Sequence, residues 1–230
     1  MTSDQPPQQY EIVPPSNDRE VAHQHFFREF VAQMAPKTNT EKQDLADGPI
    51  KSLDIPSLWN RSDSYESGVG SIVTFKPGVG DASITSMEHN SPISDRAAQD
   101  FKRLLADNIG NTKPKVLTLA EIRSLTEVLG STTMGDNQYT NSNGYPSPNA
   151  PMFKLNNVHI LNINGKAVLE VEGSYMDQDG KPSELYKGIL SPSGKDGKHI
   201  NELFLAAPNR QEMVQQEGNY LKAKRSISWR

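Results

Sequence analysis

The sequence contains no cysteine, which excludes disulfide bonds, thiolate nucleophiles and cysteine-ligated zinc sites. Apolar residues make up only 34% of the chain and aromatic residues only 7%, so part of the chain is expected to lie outside any core. No apolar run approaches the ~20 residues that a membrane-spanning helix needs, and no secretory signal pattern opens the chain. We therefore predict a soluble, cytoplasmic protein, with a periplasmic or cell-envelope location as the alternative if a leader has been removed.

Charge and motifs exclude several function classes. The net charge of −4 argues against a nucleic-acid binder, whose affinity depends on neutralising phosphates. The sequence has no Gly-x-Ser-x-Gly elbow and no phosphate-binding Gly-Lys-Ser/Thr loop. Asp177-x-Asp179-Gly180 resembles the start of a calcium loop, but the twelfth position is Gly188 rather than the required glutamate. We interpret this segment as a hairpin turn and predict no cofactor.

The histidines do not form a recognisable metal site. Glu20-x-x-His23 would place two ligands on one helical face, but the motif occurs once, whereas a carboxylate-bridged di-metal site needs it twice. His159 and His199 lie on or next to predicted strands and have no obvious third ligand. We interpret them as satisfied surface histidines, and we predict no metal site, no catalytic residues and no enzymatic activity.

The N-terminal region is predicted to hold one amphipathic helix. Residues 1–16 are rich in glutamine and proline and are interpreted as a disordered tail, residues 17–36 as the helix, and residues 37–49 as a polar linker. The apolar stripe of the helix is our candidate partner-binding surface, and it comprises Phe26, Phe27, Phe30, Val31 and Met34. Three destinations are open: docking on its own domain, contact with a protein partner or second copy, or a membrane surface. The membrane surface is the weakest of these, because the polar face of the helix is not rich in Lys or Arg.

Residues 158–207 carry the clearest strand pattern. An apolar segment at 158–163 is followed by Asn164-Gly165, the strongest two-residue hairpin signal. Residues 166–175 then alternate, which is typical of a half-buried antiparallel strand. The solvent face is predicted to carry Lys166, Glu170, Glu172 and Ser174, and the core face Ala167, Leu169, Val171 and Tyr175.

Later segments extend the predicted sheet. Residues 185–190 and 200–207 are strands, and the second is apolar on both faces, as in the middle of a covered sheet. We expect one core layer to contain Leu169, Val171, Leu203 and Leu205. A helix follows Pro208, and residues 226–229 form a possible edge strand that ends in a buried Trp229.

The first half of the domain has two predicted strands and two predicted helices. The strands are 71–75 and 82–87, preceded by a loop at 62–70. One helix starts near Ser91-Pro92, and another starts at the capping box Thr118-x-x-Glu121 and ends before Gly130 at the C′ position. Residues 131–151 hold almost nothing apolar and are predicted to be a long inserted loop.

The order of these segments resembles the C-terminal half of the PsbP-like superfamily. The resemblance rests on the Gly-Lys before the long alternating strand, the Asp-Gly turn, the Gly-Lys-His that precedes an apolar strand, and the terminal Ser-Ile-Ser-Trp. The superfamily includes the extrinsic photosystem II subunit, a small Ran-binding nuclear-import factor and bacterial envelope lipoproteins. The resemblance implies an α+β domain over residues 50–230, an antiparallel sheet with helices on both faces, and it bears on fold more than on activity.

Two function classes remain open. The resemblance implies a non-enzymatic accessory or protein-binding module, which presents a sheet edge, loop or helix to a protein partner. The alternative is an envelope lipoprotein-type domain that binds a small ligand or assists assembly, and an enzyme without a recognisable motif is a distant third. The basic C-terminal residues fit a helix C-terminus, or else a contact to an acidic partner; they are Lys222, Lys224, Arg225 and Arg230.

Overall fold

The computed structural model describes residues 11–12, 39–66, 70–111, 113–135, 152–177 and 179–230. Its strands are β1 (Glu11–Ile12), β2 (Thr40–Asp44), β3 (Ile50–Pro56), β4 (Asn60–Glu66), β5 (Gly70–Lys76), β6 (Ser83–His89), β7 (Lys115–Val116), β8 (Met152–Ile163), β9 (Lys166–Met176), β10 (Pro182–Ser193), β11 (His199–Ala207) and β12 (Ser228–Trp229). Its helices are α1 (Asp95–Ala106), α2 (Leu119–Ser124), α3 (Thr126–Gly130) and α4 (Arg210–Arg225). None of these helices is long and apolar enough to cross a membrane.

The candidate partner-binding residues near the N-terminus lie outside the described residues. The helix predicted at 17–36 lies wholly in that undescribed part, with its stripe of Phe26, Phe27, Phe30, Val31 and Met34. Residues 136–151 of the predicted loop lie there as well. Of the tail predicted at 1–16, two residues are described, and β1 pairs in parallel with Lys154 and Leu155 of β8.

The described residues form a mixed α+β domain with one large, mainly antiparallel sheet, so the predicted fold class is confirmed in this coarse form. Across the sheet the strands follow the order β1-β8-β9-β10-β11-β6-β5-β4, and β7 also pairs with β8. A second, three-stranded sheet has the order β12-β3-β2. The β8–β9 hairpin turns where predicted, at Asn164 (φ 49°) and Gly165 (φ 87°). Two successive positive φ values match the turn whose twist suits a two-residue hairpin.

Two apolar clusters fill the interior. The first includes Phe101 of α1 and Leu169 of β9, and the second includes Tyr220 of α4, Leu53 of β3 and Val168 of β9. Because adjacent residues of a strand point to opposite faces, Val168 and Leu169 assign the two clusters to opposite faces of β9.

The prediction of a single core layer is wrong. Leu169 and Val171 belong to the first cluster, whereas Leu203 and Leu205 belong to the second. The reason is the register across β10, which no single strand reveals. Leu203 lies opposite Ile189, and Ile189 lies opposite Glu170 rather than an apolar residue of β9.

Two segments predicted to be irregular form strands, and part of a third is buried. Residues 40–44 of the predicted linker form β2, which pairs along its whole length with β3. Residues 60–66, which include most of the predicted loop at 62–70, form β4 and pair with β5. Within the predicted loop at 131–151, Thr132, Thr133 and Met134 are buried. All three segments are too polar to show strand or core periodicity, so neighbouring strands and packing define them.

Candidate functional site

A row of polar side chains crosses one face of the large sheet, near one end of the strands that carry them. Tyr65 of β4 lies opposite Ser71 of β5, and Asn201 of β11 lies opposite both Glu88 of β6 and Ser191 of β10. Directly opposed residues of an antiparallel pair point to the same face. We call these five residues the polar row; they continue the face that carries the second apolar cluster.

The polar row borders a groove of about 800 Å³. The groove is lined in turn by Tyr65 of β4, Ser71 of β5, Glu88 of β6, Ser193 of β10 and Lys166 of β9. These strands, with β11 among them, are six neighbours in the sheet, so at roughly 4.8 Å per strand the groove extends about 24 Å.

The chain around Gly48 forms the opposite wall of the groove. The guanidinium of Arg230 donates to the carbonyl oxygens of Leu45, Ala46 and Gly48. The backbone N–H of Arg230 donates to Pro49 O at 2.9 Å. The C-terminal strand therefore holds this wall in place, and the guanidinium of Arg230 is occupied by backbone carbonyls.

Glu88 is held beneath this wall. Its carboxyl group accepts hydrogen bonds from Ser193 Oγ and, at 3.2 Å, from Asn201 Nδ2. Burial raises the pKa of Glu88, and those two hydrogen bonds partly oppose the increase. Gly48 has φ +74°, and a Cβ there would lie 2.7 Å from Asn201 Nδ2 and 2.8 Å from Glu88 Oε2. A side chain at Gly48 is therefore excluded by both backbone geometry and contact.

Lys166 lies at the other end of the groove. Its ammonium is 4.6 Å from the ring centroid of Trp229, a cation–π contact. Trp229 in turn donates its Nε1–H to Ile163 O at 2.8 Å. Burial lowers the pKa of Lys166, and the nearby Glu88 partly opposes the decrease. Among the described residues no carboxylate lies within ion-pair distance of this ammonium.

The sheet ends at β4, beside the groove. All seven residues of β4 are exposed, and among the described strands β4 pairs only with β5. Arg61 binds both carboxylate oxygens of Asp63, at 2.7 and 2.8 Å, and donates to Asp44 O at 2.9 Å. Tyr65 OH accepts from Asn90 Nδ2 at 3.2 Å. β4 therefore has charged and hydrogen-bonded side chains, and its outer backbone edge pairs with no described strand.

Two buried clusters of ionisable groups lie outside the groove. In the first, Glu202 accepts from Tyr186 OH at 2.6 Å and Thr133 Oγ1 at 2.7 Å, and lies 2.6 Å from His89 Nε2. Burial tends to raise the pKa of Glu202, but the bonds from His89 and Tyr186 hold it below its ordinary value. Thr133 belongs to the loop segment that was predicted to be irregular, and this contact explains its burial.

The second buried cluster corrects the prediction for β9. Glu170 lies 2.5 Å from Lys224 Nζ and 2.7 Å from His159 Nε2, although the imidazole N–H is not aligned for a hydrogen bond. Glu172 lies 3.0 Å from Lys187 Nζ. Burial tends to raise the pKa of Glu170, but Lys224 and His159 hold it well below its ordinary value. The predicted solvent face of β9 is therefore buried around paired charges.

The histidine interpretation is also partly wrong. Of the two histidines predicted to lie at the surface, His159 is buried, at 5% exposed, whereas His199 is half-buried. His159 and His199 belong to β8 and β11, which β9 and β10 separate. In the described ranges no three His, Cys, Asp or Glu side chains are grouped to hold a metal ion. The Asp177 turn forms as predicted, since Asp177 Oδ1 accepts from the backbone N–H groups of Asp179 and Lys181.

No protein-family model matches the chain, and no curated protein matches it. The case for a function therefore rests on the groove and on the β4 edge. Sequence patterns missed both. Lys166 fitted a solvent-facing strand position, Glu88 stood out in no motif, and the polar composition of β4 hid its pairing with β5.

Proposed function

We propose that this chain is a non-enzymatic protein-binding module with the PsbP-like arrangement of helices on both faces of an antiparallel sheet. Two observations support the arrangement. The first cluster combines Phe101 of α1 and Leu125 beside α2 with residues of the sheet. The second combines Tyr220 of α4 with Leu203 of β11. We also propose a cytoplasmic location. The superfamily that the chain resembles includes a nuclear-import factor.

The partner in this proposal is a protein that adds an extended segment to β4. The observation that carries it is the outer edge of β4, which has seven exposed residues and no neighbouring strand in the described part of the chain. In such an edge strand, alternate residues direct their N–H and C=O groups away from the sheet. These groups form a template on which a peptide can pair, with backbone hydrogen bonds supplying affinity.

Side chains of β4 would decide which segment is accepted. Arg61 and Asp63 are paired with each other and discourage unspecific pairing of apolar strands. Ser62 and Ser64 offer small hydroxyl groups on the opposite face of the strand. The expected partner is therefore a polar segment whose charges are complementary to those of Arg61 and Asp63. The N-terminal stripe that begins at Phe26 is a second proposed contact surface, for a partner or for self-association.

A proline scan tests the proposal. Extended peptides would be selected from a random library on the full chain, and their affinities measured for Ser62→Pro, Asp63→Pro and Ser64→Pro. Proline at a position that faces β5 removes a ladder hydrogen bond and destabilises the fold, whereas proline at an outward position removes only a donor for the partner. We expect at least one variant with an unchanged unfolding midpoint and lost peptide binding.

A control variant shows whether the edge is specific. Lys42→Pro places the same change in β2, the outer strand of the small sheet, and should leave peptide affinity unchanged. Hydrogen exchange of the β4 amides should slow when peptide is bound. Wild-type affinity in every folded β4 variant, or protection of β2 instead of β4, would contradict the proposal.

The alternative function, an envelope-type domain that binds a small ligand or assists assembly, is favoured by the groove beside Lys166. The two functions differ in the surface that they use. If the chain is a protein-binding module, proline in β4 should abolish partner binding. If it is an envelope-type domain, the same substitution should leave ligand binding in the groove intact.

A further inference from the structure

The ammonium of Lys166 has an incomplete environment. It is half-buried and one side contacts the Trp229 ring, yet no described carboxylate pairs with it. A partly desolvated ammonium without an acceptor is unfavourable. An anionic group of a ligand would supply charge-assisted hydrogen bonds at this position.

The charge of the lining also favours an anion. Three cationic side chains, Lys166, Lys195 and Arg230, line the groove together with two carboxyl groups, Asp47 and Glu88. Because Arg230 is occupied by backbone carbonyls and Lys195 is exposed to solvent, Lys166 is the partly desolvated cation that a ligand can contact.

The centre of the groove instead offers acceptors. The Glu88 carboxyl has lone pairs beyond those used by Ser193 and Asn201. Tyr65 and Ser71 add hydroxyl groups farther along the groove.

We propose that the groove binds a small carboxylic acid that also carries hydroxyl groups. Its carboxylate contacts Lys166, and its hydroxyl groups donate to Glu88 and the neighbouring polar row. Sugar acids have this combination of groups. The proposal is independent of a partner at β4, because its anion-binding residue lies five strands away from that edge.

Four probes separate the two halves of the ligand. D-Glucuronate and tartrate carry both a carboxylate and hydroxyl groups. Acetate carries only the carboxylate, and D-glucose carries only hydroxyl groups. Titration calorimetry on the full chain should show that at least one hydroxy acid binds about tenfold or more tightly than acetate and glucose. Equal affinity for acid and neutral probes, or no binding of either hydroxy acid at millimolar concentration, would overturn the proposal.

Variants assign the contacts. Lys166→Met keeps the aliphatic stem and should weaken hydroxy-acid binding about tenfold or more, whereas Lys166→Arg should restore part of it. Lys181→Met, at an exposed turn, is the matched control and should bind as the wild type. Glu88→Ala should remove the preference for hydroxy acid over acetate.

Thermal unfolding of each variant would establish that the fold is retained. Wild-type affinity in a folded Lys166→Met variant, or the same loss in Lys181→Met, would refute the assigned contact.

Discussion

Replacing Lys224 by methionine removes the cation beside a deeply buried carboxylate. Glu170 is 2% exposed and Lys224 is 6% exposed, and Lys224 Nζ lies 2.5 Å from Glu170 Oε1. Methionine keeps most of the aliphatic stem that α4 packs against the sheet, so the lost ammonium is the main change. The variant therefore measures what an uncompensated charge costs inside this domain.

Breaking a buried pair by removing one partner typically costs about 3–5 kcal/mol. We expect the lower part of that range, because Glu170 still has His159 Nε2 at 2.7 Å and the field of Lys187. In the double variant Glu170→Gln with Lys224→Met, the carboxylate that Lys224 neutralises is removed together with Lys224. Replacing both charges is often neutral, so the double variant should be more stable than Lys224→Met alone.

Urea unfolding at pH 7, followed by circular dichroism, gives the free energy of unfolding for each protein. Lys222→Met in the same helix is the control, and as a partly exposed position it should change stability by less than about 1 kcal/mol. Equal losses for Lys224→Met and Lys222→Met would refute the idea that the buried pair stabilises the fold. A double variant no more stable than Lys224→Met would refute the assigned cause.

Other expectations concern acid stability, the core and the N-terminus. Because the folded-state pKa values of Glu170 and Glu202 lie below their ordinary value, their stabilisation is present above about pH 4.5 and lost as pH falls through those lower values. The urea midpoint should drop as pH falls below about 4.5, less steeply in Glu202→Gln; a flat profile would contradict this. Leu203→Ala should cost about 2–5 kcal/mol in urea unfolding, whereas Val79→Ala, on a 90% exposed side chain, should have no measurable effect; similar effects would contradict the core assignment. A protein lacking residues 1–38 retains β2 but also loses β1, which pairs with β8, so it is compared with a protein lacking residues 1–16. Lower stability with new dye-binding apolar surface in the shorter protein would indicate that the N-terminal stripe docks on the domain. Partner loss at unchanged stability would indicate an intermolecular role, and no change in either would exclude both.

Features encoded within a few residues could be predicted from the sequence. Asn164-Gly165 specifies the β8–β9 hairpin because both positions take positive φ. Thr118 and Glu121 form the predicted capping box, because each side chain satisfies a backbone group three positions away. The helix after it was predicted as one piece, but it is interrupted at Leu125, between α2 and α3.

Features that depend on distant residues could not be predicted. Glu170 alternates with apolar neighbours as a solvent-facing residue would, and its burial depends on distant cations such as Lys224, 54 positions later. The groove has the same origin, since Glu88 and Lys166 come together only through the order of the four strands β9, β10, β11 and β6. Pairing register, rather than local pattern, determines which face each side chain occupies.

The pairing of β6 with β11 also constrains how the chain acquires its structure. β4, β5 and β6 are consecutive hairpin neighbours, as are β8 to β11, but one ladder from Ser83–Ala206 to His89–Ile200 joins the two groups. His89 and Glu202, which meet across it, are 113 positions apart. Closing so long a segment costs chain entropy before the new contacts compensate. The two groups of strands are therefore expected to form first, and their union across β6 and β11 should limit the folding rate. Substitutions in that ladder should slow refolding more than they accelerate unfolding.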